Sequence, residues 1–245
     1  MLPRVIPTVL VENGNAVFRT KFSKKIYLGD PQSVLRLFND FGADEIMLLD
    51  ISFRRSNLLI NMGALGGICE TLFTPLAIGG GIRSLEDADN LFALGVEKVV
   101  LKADSKVNYR LIEEISSKYG SQAVTACINY SDTSKRFTSK DTFLVSGIED
   151  ASKKAQSCGA GEILLQNVDR SGTGEGLDIP IISRISRELS VPLICSGGTR
   201  DLIDISHAIE SGASGVGISR LFSISDNSFT PLISYISESD RIRIA

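Results

Sequence analysis

The chain has 245 residues, 43% of them hydrophobic, with a net charge of −3, so it matches the typical length of one α/β barrel, roughly 250 residues. No run of Lys or Arg is long enough for a nucleic-acid or membrane surface, and no stretch approaches the ~20 apolar residues of a membrane span. Cys69, Cys127, Cys158 and Cys195 lie far apart without metal-like spacing, which points to reduced thiols, a cytoplasmic location, no metal and no cofactor.

In chain order, the apolar Arg4–Val11, broken by Pro7, reads as a first strand rather than a signal peptide, and Glu12–Lys25 as a polar loop with room for a small hairpin. Asp30-Pro31 opens a helix through Phe41, with proline in its first turn. Glu45–Ile51 is the second strand, Asn57–Glu70 a helix and Pro75–Ile78 the third strand. Ser84 and Asp87 form a capping-box pattern that opens a helix to Leu94. Lys98–Ala103 is the fourth strand, Tyr109–Lys118 has helical spacing and Gln122–Ile128 is the fifth strand. Asn129–Val145 reads as a polar insertion holding a hairpin. A helix over Glu149–Ser157 precedes the sixth strand, Glu162–Val168, and a glycine-rich segment, Asp169–Gly176, leads to a helix near Pro180–Leu189. Pro192–Cys195, Leu202–Glu210 and Ser214–Ile218 are the seventh strand, a helix and the eighth strand. Leu232–Ile236 is a last helix.

The chain also repeats itself. Thr74-Pro-Leu-Ala-Ile-Gly-Gly-Gly-Ile-Arg83 returns as Val191-Pro-Leu-Ile-Cys-Ser-Gly-Gly-Thr-Arg200, 117 positions later. At the same offset, Gly42–Asp50 and Gly159–Asn167 agree at five of nine positions, including Glu45 and Glu162. Each glycine cluster follows an apolar strand and precedes a helix, where backbone N–H groups can approach an anion. Eight strands alternating with helices, in half-barrels of about residues 1–120 and 121–245, predict a single (β/α)8 barrel. Two glycine clusters on one rim would suit a substrate with a phosphate at each end.

Several stretches together resemble the cyclase subunit of imidazole glycerol phosphate synthase over nearly the whole chain. They are Val5-Ile-Pro7, Gly29-Asp30-Pro31, Leu49-Asp50, Gly79-Gly-Gly-Ile82, Gly120-Ser-Gln-Ala-Val124, Gly159–Leu165 and Asp169-Arg170. The resemblance implies a two-phosphate substrate across the top of the barrel. It also implies ammonia from a glutaminase subunit docked on the N-terminal face, passing through the barrel to two catalytic aspartates. Here those aspartate positions are Leu10 and Asn129, and neither can exchange a proton near neutral pH. A positioned acid or base contributes roughly 10²–10⁴ in rate, so the parent cyclisation is expected to be lost unless Asp50 or Asp169 substitutes. Both aspartates read equally well as rim carboxylates bonded to loop N–H groups. The phosphate-binding positions carry over as Gly81, Lys102, Gly172, Thr173, Gly197, Gly198, Ser219 and Arg220, with Lys102 and Arg220 as basic departures. At the opposite end, Arg4, Glu45, Lys98 and Glu162 carry over as a salt-bridged ammonia gate, beside Gln122 and Glu97.

Leu10 and the segment Val9–Phe22 look more like a branch of this family found in surface-polysaccharide pathways. There the barrel conducts ammonia for a separate sugar amidotransferase that makes acetamidino sugars. The leading expectation is therefore a conduit subunit. The alternatives are an authentic cyclase subunit of histidine biosynthesis and a non-enzymatic scaffold barrel. The chain is not its own glutaminase, since His207 is its only histidine and has no cysteine arranged beside it.

Overall fold

The computed structural model describes residues 3–52, 62–132 and 142–220. Eight parallel strands close on themselves: β1 (Arg4–Glu12), β4 (Ile46–Asp50), β5 (Leu76–Gly79), β6 (Lys98–Lys102), β7 (Val124–Ser131), β9 (Glu162–Asn167), β10 (Leu193–Ser196) and β11 (Gly215–Ile218). The ring is shut by β11 pairing with β1, Arg4 opposite Gly215 and Pro7 opposite Ile218. Seven helices, α1 (Pro31–Asp40), α2 (Met62–Cys69), α3 (Leu85–Ala93), α4 (Lys106–Tyr119), α5 (Ile148–Ser157), α6 (Ile179–Ser186) and α7 (Leu202–Glu210), surround it among the described residues. The expected (β/α)8 barrel is the observed architecture. The final helix expected at Leu232–Ile236 and the start of the helix expected at Asn57 lie outside the described residues.

The strands are apolar runs because both their faces are buried. On the inner face Ile6, Met47, Ala77, Val100, Cys127, Leu164 and Ile194 form a belt across the middle of the barrel. On the outer face Val5, Ile46, Leu48, Ile78, Val99, Ile128 and Ile163 pack in one cluster with helix residues such as Leu35, Leu91, Ile112 and Ile185. This period of two decides which side chains face the lumen.

Helix starts are fixed locally. Asp30 accepts from the Ser33 N–H (3.0 Å) at the cap of α1, with Pro31 next, and Ser84 and Asp87 form the expected capping box at α3. Each such cap contributes about 1 kcal/mol. The 117-residue offset recurs in this geometry: Asp87 accepts from the Arg83 N–H (2.9 Å) and Asp204 from the Arg200 N–H (2.8 Å). Likewise, a Cβ on Gly80 would collide with the Asp50 carbonyl oxygen, and one on Gly197 with that of Asn167.

Two segments depart from simple alternation. The stretch read as a polar loop with room for a small hairpin does form one, β2 (Asn15–Thr20) against β3 (Lys24–Gly29), with β2 extending antiparallel from β1. Most of the insertion expected to hold a second hairpin lies outside the described residues. Its described end, β8 (Phe143–Leu144), joins β7 in parallel, which excludes a hairpin between those two strands.

Candidate functional site: a charged quartet at one end of the barrel and a basic pocket at the other

At the N-terminal end the four carried-over charges meet. Arg4 donates through Nη1 to Glu45 and through Nη2 to Glu162 Oε1 (2.7 Å). Lys98 Nζ donates to Glu45 Oε2 (2.8 Å) and to both oxygens of Glu162 (3.1 and 3.2 Å). Glu45, just before β4, and Glu162, at the start of β9, are almost fully buried. Thr125, which the sequence reading missed, joins them by donating to Glu162 Oε2 (3.2 Å). Gln122 stands apart, donating to the Tyr119 carbonyl, and Glu97 is exposed. Buried carboxylates need such partners, because an unpaired charge there costs several kcal/mol. Above this layer comes the apolar belt, whose only thiol, Cys127, is pushed up to about 12 by burial and stays protonated.

At the C-terminal end the alternation places Leu10 and Asn129 inward. Leu10 follows Ile6 and Thr8 on β1, and Asn129 follows Thr125 and Cys127 on β7. Asn129 Oδ1 accepts a long contact from the Cys127 thiol (3.5 Å). Neither carboxylate suggested as a substitute is free at the mouth. Asp50 follows inward Leu49 and lies on the other face, where it accepts from the Ser52 N–H (2.7 Å). Asp169 accepts from Ser131 Oγ (2.7 Å) and the Asp132 N–H (2.8 Å).

The loop positions divide. Gly172, Gly198, Ser219 and Arg220 line one rim pocket together with Leu10, Thr8, Gln166 and Ser196. Gly197 lies behind it, pressed on the Asn167 carbonyl. The Thr173 hydroxyl is used inside its own loop, donating to the Arg170 carbonyl (2.8 Å) and accepting from the Glu175 N–H (3.1 Å). Gly81, after β5, and Lys102, the last residue of β6, are not among the pocket-lining residues. Six pocket residues were not singled out from the sequence: Thr8, Arg19 from the hairpin, Gln166, Ser171, Ser196, and Thr199 beside Gly198. Arg220 Nη1 donates to the Gly172 carbonyl (3.1 Å), tying two sides of the pocket together. With two guanidinium groups and several hydroxyls, this pocket can hold an oxyanion.

Among the described residues, no helix is long and apolar enough to cross a membrane. Comparison with known proteins shows the family to which the chain belongs. The profile of the family described as "Histidine biosynthesis protein" matches residues 4–226. The imidazole glycerol phosphate synthase subunit HisF of Exiguobacterium sibiricum is 34% identical over 91% of this chain and 91% of its own length. That of Streptomyces coelicolor is 33% identical over 91% of both chains. The hisF2 subunit of Pseudomonas aeruginosa, whose assignment to that synthase is itself provisional, is 34% identical over 95% of both. The chain belongs to the histidine biosynthesis protein family, in the HisF-like branch of imidazole glycerol phosphate synthase cyclase subunits.

Proposed function

We propose that this chain is the barrel subunit of a glutamine-dependent amidotransferase system, and that it has kept the ammonia conduit and lost the cyclase. A partner glutaminase docks on the N-terminal face and its ammonia passes the Arg4–Glu45–Lys98–Glu162 gate. The ammonia leaves at the rim for a separate amidotransferase acting on a surface-polysaccharide sugar, and the rim pocket takes a phosphorylated small molecule. The observation that carries this reading is the contrast between the two ends of the lumen. All four gate charges are present and mutually bonded, whereas the inward rim positions on β1 and β7 hold Leu10 and Asn129. The belt between them suits neutral ammonia, because an ammonium ion crossing it would lose solvation worth several kcal/mol. Asp50 and Asp169 are engaged elsewhere, which argues against their replacing the lost groups.

A docking face at the gate end is supported by Phe73, which is 94% exposed on the loop before β5. Its loop is held by the Asn39 side chain, which accepts from the Phe73 and Thr74 N–H groups (2.9 and 3.2 Å). A rigid exposed aromatic is a common interface anchor. The identity to HisF subunits favours a second reading, an authentic cyclase subunit.

The test is glutamine hydrolysis by a glutaminase subunit of imidazole glycerol phosphate synthase, with and without the barrel. Stimulation of about tenfold or more, lost with Lys98→Ala and weakened in affinity with Phe73→Ser, is the expected result. No complex and no stimulation would instead favour the scaffold reading.

A further inference from the structure

The two buried carboxylates of the quartet are held unequally. Glu162 uses both oxygens: Oε1 accepts from Arg4 Nη2 (2.7 Å) and Lys98 Nζ (3.1 Å), and Oε2 from Lys98 Nζ (3.2 Å) and Thr125 Oγ1 (3.2 Å). Glu45 uses one. Its Oε2 accepts from Arg4 Nη1 and Lys98 Nζ (2.8 Å), while Oε1 is buried without a hydrogen-bond partner among the described residues. Moving Glu45 away breaks two charge-assisted bonds; moving Lys98 breaks three and leaves both carboxylates sharing Arg4.

The backbones differ in the same sense. Glu162 opens β9 with Thr125 of β7 opposite it in the ladder. Just before it, the Gly161 N–H donates to the Val124 carbonyl (3.0 Å), and a Cβ on Gly161 would collide with the Ser121 carbonyl. Glu45 instead sits in the loop between α1 and β4. That loop hangs from the last turn of α1, where the Gly42 N–H donates to the Asn39 carbonyl (3.0 Å) and the Ala43 N–H to the Phe38 carbonyl (3.1 Å). The Asn39 side chain also accepts from the Phe73 and Thr74 N–H groups. One residue therefore joins the loop of the exposed Phe73 to the loop of Glu45.

We propose that Glu45 is the moving half of the gate and that Thr125 is the positioning residue that keeps Glu162 and Lys98 paired while it moves. A protein docked on Phe73 shifts the Glu45 loop through Asn39. The inference rests on the reading of the quartet as an ammonia gate with its docking face at Phe73. The unequal hold on the two carboxylates is a property of the free chain and needs no partner.

The test reads the Lys98 ammonium group by nuclear magnetic resonance and the backbone by hydrogen exchange, with and without a glutaminase subunit of imidazole glycerol phosphate synthase. In the free chain, Thr125→Val should speed exchange of the Lys98 ammonium protons with water about fivefold or more, and Thr125→Ser should restore the native rate. Glu162→Gln should speed it more than Glu45→Gln. On docking, the Ala43 and Ile46 N–H groups should exchange about fivefold faster, while the Lys98 ammonium stays within about twofold of its free rate. Asn39→Ala should still form the complex and lose that quickening. A Lys98 ammonium that exchanges about tenfold faster on docking would make Lys98 the moving part and overturn the proposal. So would Thr125→Val exchanging as the native chain does, or a complex in which Ala43 and Ile46 exchange no faster. If no complex forms, the docking reading fails and the part of Asn39 with it, while the free-chain variants still decide for or against Thr125.

Discussion

Replacing Lys98 by alanine removes three charge-assisted hydrogen bonds at once, to Glu45 Oε2 (2.8 Å) and to both oxygens of Glu162 (3.1 and 3.2 Å). The two carboxylates, 2% and 4% exposed, then share Arg4 alone. Removing one partner of a buried ion pair costs roughly 3–5 kcal/mol, against about 0–1 for a solvated pair. The Lys98 side chain is itself 13% exposed, so water reaches the gap and the low end applies, about 3 kcal/mol. For a chain of this size 1 kcal/mol corresponds to about 2–4 °C in Tm, which predicts a fall of about 6–12 °C. Urea unfolding and a thermal scan measure it, with Lys98→Met as the comparator that keeps the aliphatic stem. Adding Glu45→Gln to Lys98→Met should recover part of the loss, since it removes the charge left short of a partner. A loss below about 1 kcal/mol for Lys98→Ala would mean that the four charges are solvated singly. The lower gate would then not exist as a network.

Gly80→Ala should cost about 3 kcal/mol or more, because φ is +100° there and the new methyl meets the Asp50 carbonyl; urea midpoints against the native chain check it. Hydrogen bonds from Lys25 and Arg19 hold the Glu12 carboxyl below its ordinary 4.5. Its contribution to stability is therefore full above pH 4.5 and is lost as pH falls through the lowered value. Unfolding midpoints at about pH 7 and pH 3.5 should differ less in Glu12→Gln than in the native chain. Burial pushes the Cys127 and Cys195 thiols up to about 12, while Cys69 and Cys158 are only half-buried. Alkylation of the native protein followed by mass mapping should label the latter two and spare the former.

The barrel was legible because its strands are continuous apolar runs and its helices carry local caps. Leu202–Glu210 was read residue for residue, and the Ser84–Asp87 box is formed as written. The same alternation that made the strands readable could have settled Asp50. It follows inward Leu49 and so turns away from the lumen, which the motif match obscured. The charged quartet was carried over from the family resemblance, while the residues alone showed only that Glu45 and Glu162, charged within apolar runs, needed partners. Thr125 was missed, since a threonine in a strand needs no explanation. Arg19 had no signal because its place at the mouth depends on the hairpin folding back onto Gly172, a contact between residues about 150 positions apart that no local pattern encodes. Thr173 was singled out for its glycine-rich setting, but its hydroxyl is spent within its own loop.

The conduit account stands or falls on turnover of the aminoimidazole ribulotide precursor, with ammonium salt as nitrogen source so that no glutaminase is needed. With Leu10 and Asn129 at the inward rim positions of β1 and β7, the predicted rate lies at least ~10³-fold below that of a competent HisF subunit. A rate within about tenfold of such a subunit would contradict the account and place the lost proton transfers on another group of the mouth.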